Sequence, residues 1–200
     1  MRILVFGATG AVGSRLVQEA RTRGHQVTGV SRTGERQGDA SDSGAVAELA
    51  QGHDVVISAT RPQAGREDEL VQAAKGLLNG LRASGIRLIM VGGAGSLTVP
   101  GTGLTLAEQP GFPAAYRAIA EACNEQYAVV RASTEVDWTY VSPPDLLEPG
   151  VRTGQYRLGA DELVVAADGT SSVSMEDFAV ALVDEAERGQ YRGRRFTVGY

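Results

Sequence analysis

Residues 7–13 read Gly-Ala-Thr-Gly-Ala-Val-Gly, with three glycines at a spacing of three directly after the apolar run Ile3-Leu4-Val5-Phe6. A short apolar run that stops at a glycine is the pattern of a strand buried on both faces of a parallel sheet. Beyond the glycines, Val12, Leu16, Val17 and Ala20 recur at helical spacing, and Gly24 after Arg21 and Arg23 supplies a stop with cations in the last turn. Val27 to Val30 resumes as a strand. Such a unit requires a right-handed crossover and leaves the helix N-terminus pointing at the glycine turn. Small residues there let the backbone approach a pyrophosphate, whose charge meets free N–H groups and the positive end of the helix dipole. Dinucleotide binding by Gly7, Ala8, Thr9, Gly10, Ala11, Val12 and Gly13 is therefore favoured over a bare packing turn, and a P-loop is excluded because no lysine follows.

The alternation continues. Ser43 can cap a helix to about Gln51, Asp54 to Ala59 is another buried strand, and Leu70, Ala73, Ala74, Leu77, Leu78 and Leu81 form one helical stripe behind Glu67, Asp68 and Glu69. A strand from Ile86 to Val91 runs into Gly92-Gly93-Ala94-Gly95-Ser96 and a long loop, the kind that is usually functional. A helix from Ala114 to near Ser133, a strand from Val136 to Val141 and the stop Pro143-Pro144 follow. Gln155 to Leu158 and Glu162 to Val165 read as short strands, Met175 to Arg188 as an amphipathic helix and Phe196 to Val198 as a last strand. The expected fold is α/β: a Rossmann-like, doubly wound parallel sheet in one domain spanning 1–200, with residues from about 143 to 200 making a small cap on the substrate side.

Composition narrows the partners. Two hundred residues carry a net charge of -5, which leaves no positive surplus for general DNA or RNA binding. One cysteine, Cys123, and two scattered histidines offer neither an intrachain disulfide nor a metal-ligand cluster. No apolar run approaches the roughly 20 residues of a membrane helix. Arg2 followed by uncharged Ile3 to Gly13 reads as strand and turn rather than as a leader, so a cytoplasmic chain is expected. A small-molecule partner is expected, with no nucleic acid, no membrane and no metal; oligomeric state is left open.

The second strand ends in Val30-Ser31-Arg32, where an NAD-preferring site would often carry an acidic residue for the ribose hydroxyls. The Arg32 guanidinium suits the 2′-phosphate of NADP, with Ser31 and Thr33 adding hydroxyl donors, unless it is simply a solvated loop charge. Asp39, beside Ala40 and after the position of a short third strand, either accepts the adenine amino group or, with Asp42, makes turns and a helix cap. Ser58, Ala59 and Thr60 end the next strand and are small enough for close approach of a ribose.

These segments together resemble the atypical branch of the short-chain dehydrogenase/reductase superfamily, the NAD(P)H-binding (NmrA-like) proteins often labelled NADH-flavin reductases. The resemblance rests on Gly7-Ala8-Thr9-Gly10-x-x-Gly13, His53 to Ala59, Val91 to Leu97, Val136 to Pro143 and Arg195 to Tyr200, and covers nearly the whole chain. It implies a Rossmann-like fold, NADP(H), small-molecule redox chemistry and cofactor contacts from Gly92, Gly93 and Pro143. Similar relatives reduce flavins, and some act as redox-sensing regulators.

Typical superfamily members pair a tyrosine with a lysine four residues later, which lowers the tyrosine pKa for proton transfer. Here Tyr116 is followed four positions on by Ala120. Tyr116 is then at best a proton donor, and alcohol oxidation by that route is disfavoured. Ser96 lies near the superfamily's catalytic serine and would donate a hydrogen bond to a substrate carbonyl, or is simply a turn serine. Trp138 and Tyr140 share one strand face as core or pocket wall, Cys123 reads as a buried thiol, and no nucleophile elbow marks a hydrolase. The expected activity is NADPH-dependent transfer of a hydride to a flavin or quinone. The alternatives are an NADP(H) sensor without turnover and a nucleotide-sugar epimerase, the last weakened by the missing lysine and the short C-terminal region.

Overall fold

In the computed structural model, which describes residues 1–200, the chain runs β1 (Arg2–Phe6), α1 (Ala11–Thr22), β2 (Gln26–Val30), α2 (Ser43–Ala50), β3 (Val55–Ser58), α3 (Glu69–Leu81) and β4 (Arg87–Val91). It continues with two single 3-10 turns, α4 (Arg117–Arg131), β5 (Trp138–Ser142), β6 (Leu146–Glu148), β7 (Arg157–Gly159), β8 (Ser172–Ser174), α5 (Met175–Arg188) and β9 (Arg194–Gly199). The main sheet has the order β2-β1-β3-β4-β5-β9-β7, parallel throughout except for the edge strand β7. This is the expected Rossmann-like, doubly wound sheet.

Alternation along β1 shows why the sheet is covered on both sides. Ile3 and Val5 pack with Leu16 and Ala20 of α1 and Phe178 and Leu182 of α5, whereas Leu4 and Phe6 pack with residues of α2 and α3. The strand order reverses at β1, because β2 lies on one side of it and β3 on the other. The carboxyl ends of β1 and β3 therefore open a crevice, the usual ligand position in such sheets.

One polar group sits deep in the opposite, amino edge. Arg87 of β4 is buried and ion-paired to Glu185 of α5, and its Nη2 also donates to Thr139 Oγ1. Glu185 in turn accepts from the backbone N–H groups of Gln190 and Tyr191. The pair ties the α5–β9 connection to the sheet, and removing either partner would strand the other charge.

Four local expectations change. The short third strand before Gly38 shrinks to a single bridge between Ser31 and Gln37, because the intervening residues bend back instead of extending. Glu162 to Val165 forms no strand: Thr98 N–H donates to the Asp161 carbonyl and Leu163 N–H to the Thr98 carbonyl, stitching this segment to the loop after β4. The α2 cap is Asp42 rather than Ser43, its carboxylate accepting from Gly44 and Ala45 N–H. Of the C-terminal region, α5, β9 and the edge strand β7 belong to the layers of the main sheet, and what lies outside it is the parallel pair β6–β8 with its connecting loops.

Candidate functional site

At the switch point the glycines are required by contact. Gly7 has φ +79°, and a Cβ there would lie 2.5 Å from the Ala59 carbonyl oxygen of β3. A Cβ on Gly13 would lie 2.0 Å from the Gly7 carbonyl oxygen, so only glycine lets α1 start this close to β1. Gly10 is the N-cap of α1 and offers no side-chain cap, and the first bond that reaches back to it comes from Ser14 N–H at 2.9 Å. The N–H groups of Thr9, Ala11, Val12 and Gly13 consequently have no partner in the chain. Four free donors and a helix dipole converge where an anion can approach bare backbone.

Beside this turn lies the loop after β2. Ser31 is buried with its hydroxyl unpartnered, and a Cβ on Gly34 would meet Ser31 Oγ at 2.3 Å and Thr9 Cγ2 at 3.5 Å. The loop thus folds back over the glycine turn. Arg32 is half exposed and bonded to Glu69 of α3 at 3.0 Å, and Thr33 is exposed. Arg66 reaches the same Glu69 carboxylate at 2.5 Å. Asp39 Oδ1 accepts from the Ser41 N–H at 2.9 Å and the Ser41 hydroxyl at 2.8 Å. That backbone bond first, then the Ser41 hydroxyl and the Arg32 and Arg66 charges, hold its carboxyl below the usual range. Ala40 turns its methyl into the core, so only its backbone can face a ligand. Ser58 is buried and its hydroxyl lies 3.3 Å from that of Thr60, while Ala59 lines Gly7.

The far end of the crevice is built differently. Cβ atoms on Gly92 and Gly93 would run into the Tyr140 ring at 1.9 Å and Cys123 Cβ at 2.7 Å, so packing alone demands glycine at both positions. Trp138 and Tyr140 are core residues, with the Tyr140 hydroxyl between the Cys123 carbonyl and Gln126 Oε1. Cys123 is buried, and burial pushes its thiol up to about 11. Pro143 directly follows β5 and is partly exposed. Tyr116 is 56% exposed, at the entry to α4, and makes no side-chain hydrogen bond. Ser96 accepts a hydrogen bond from Arg195 Nη1 at 2.8 Å.

Sequence reading missed Glu69, Arg66, Asp161 and Arg195. Glu69 carried only a helix-dipole signal, Arg195 only its place in the segment Arg195 to Tyr200, and Arg66 and Asp161 none, because their partners are distant in the chain or lie across a turn.

Fold, switch point and free helix N-terminus define a dinucleotide-binding protein of the Rossmann class. The sequence profile described as NAD(P)H-binding matches residues 7–188, and the chain belongs to that family. Among solved structures, a candidate exported protein of Burkholderia pseudomallei is 41% identical with a TM-score of 0.92, covering 100% of both chains. A candidate epimerase of Bacteroides thetaiotaomicron is 38% identical with a TM-score of 0.92, covering 100% of this chain and 96% of the other. SP1627 of Streptococcus pneumoniae, a candidate NADH-flavin reductase, is 29% identical with a TM-score of 0.91, covering 100% and 99%. No helix is long and apolar enough to cross a membrane.

Proposed function

We propose that this protein is an NADPH-dependent reductase that delivers a hydride to a small planar acceptor such as a flavin or quinone. The observation that carries the cofactor half is the set of four unpartnered N–H groups beneath the glycine turn, which fit a pyrophosphate. Arg32 would meet the 2′-phosphate beside the orphaned Ser31 hydroxyl, and the exposed Thr33 adds a donor. The small Ser58-Ala59-Thr60 end of β3 leaves room for a ribose.

NADPH, when bound, supplies the hydride; the acceptor takes it up with one proton from water. The chain's own task is to hold and orient. Tyr116 lacks a lysine partner and stands in solvent, which disfavours the proton abstraction that alcohol oxidation needs and suits reduction of an acceptor. The resemblance to a candidate NADH-flavin reductase supports the same class.

The deciding experiment follows NADPH absorbance with a panel of flavins and quinones, with NADH in parallel. Saturable turnover that is stronger with NADPH is expected. Turnover equal or greater with NADH overturns the NADPH preference, and tight NADPH binding without turnover on any acceptor makes the protein a sensor.

A further inference from the structure

Arg195, the second residue of β9, is 7% exposed, and three of its five guanidinium N–H groups are engaged. Nε donates to Asp161 Oδ1 at 2.8 Å, Nη2 to the same oxygen at 2.5 Å and Nη1 to Ser96 Oγ at 2.8 Å. Its Cζ lies 4.5 Å from the centroid of the Tyr127 ring. Asp161 itself is largely exposed, so the cluster has a wet rim and a dry cation.

We infer that Arg195 is a positioning residue that turns Ser96 into a fixed hydrogen-bond donor for the carbonyl oxygen of the acceptor. A guanidinium has five N–H donors, no acceptor and a permanent charge. Ser96 Oγ can therefore only accept from it, which directs the serine hydrogen away from Arg195. No group of the protein receives that hydrogen. The adjacent cation also polarises the hydroxyl, so the donor strengthens as negative charge builds on the acceptor oxygen. No proton changes owner; the bond is electrostatic. Where the chain has Ala120 and no lysine on α4, the positive charge arrives instead from β9, through Ser96.

This inference rests on the reductase reading, and one probe separates the two. Menadione, a naphthoquinone, is bound to the full chain with NADP+, which cannot deliver a hydride, and its carbonyl stretch is read by infrared difference spectroscopy. The band is expected below its position in water for the wild type and R195K, and back near the water value for S96A and R195Q. D161N disturbs the same cluster without touching Ser96 and should leave the band low. With NADPH, S96A should lower kcat about 100-fold, and R195Q should add less than about threefold in the S96A background, with the affinity for NADPH unchanged. A wild type without a lowered band, or S96A or R195Q with the wild-type band, overturns the inference. If R195Q does not fold, S96A and D161N decide it: a D161N band as high as that of S96A points to general disruption and overturns it. A lowered band without NADPH oxidation sinks the reductase reading and leaves the Arg195–Ser96 pair standing.

Discussion

The two ends of the crevice contrast in what they are made of. At the nucleotide end, four backbone N–H groups within a seven-residue turn are left bare, and side chains contribute mainly by being absent. At the acceptor end, side chains from three remote segments, Ser96, Asp161 and Arg195, meet to aim one hydroxyl. A site made of backbone tolerates almost no added atoms, whereas one made of side chains can be retuned by substitution without rebuilding the chain path.

The sharpest way to break the nucleotide end is Gly13→Ala. Intrinsic helix propensity favours alanine by about 1 kcal/mol. The Cβ, however, would sit 2.0 Å from a backbone oxygen that cannot swing aside. The expected result is a stability loss of about 1–3 kcal/mol in urea titration and NADPH affinity reduced about 100-fold. A stabilised variant with unaltered binding would show that the turn is not under this constraint.

Arg32→Ala comes next. NADPH affinity should fall about 10- to 100-fold and NADH affinity less than about threefold, read by fluorescence titration. Equal losses would mean that Arg32 does not read the phosphate.

Glu19 tests whether the scaffold behind the crevice is electrostatic. Its carboxylate accepts from Arg152 at 2.7 Å and Arg23 at 2.8 Å, joining α1 to the segment before β7. Arg152 first and then Arg23 overcome its burial and hold its pKa down to about 2 from 4.5. Because the folded value is depressed, this stabilisation is complete above the unfolded value near 4.5 and fades as pH falls toward 2. Glu19→Gln should cost about 1.5–3 kcal/mol at neutral pH and flatten the wild type's loss of stability through that acid window, measured by denaturant midpoints. An unchanged acid slope would assign that loss to other carboxylates.

The smallest effect is expected at Tyr116. With its hydroxyl in solvent and unpartnered, Tyr116→Phe should change kcat by less than about threefold. A loss of about 100-fold would make it a proton donor and shift the catalytic weight from Ser96.

Much of this was legible in sequence. The apolar run Ile3 to Phe6, the glycine spacing and the helical stripe of α3 depend on neighbours within a few residues, and periodicity records such neighbours directly. The short pieces failed for the converse reason. Glu162 to Val165 has a strand-like pattern, but its backbone partners lie at Thr98, outside any local window. Gly92 and Gly93 carry an expected cofactor contact, and independently of any cofactor Tyr140 and Cys123 already require glycine at both positions.

The sequence by itself determined a nucleotide-binding α/β chain, because the chemistry of that end is backbone chemistry and the order of residues dictates where backbone is left bare. Only the tertiary structure decided that Arg195 faces Ser96, that Arg32 and Arg66 share Glu69, and that Arg87 is buried against Glu185. A side-chain hydrogen bond or ion pair acts over a few ångströms regardless of sequence separation, so such pairs exist only once the sheet has ordered its strands.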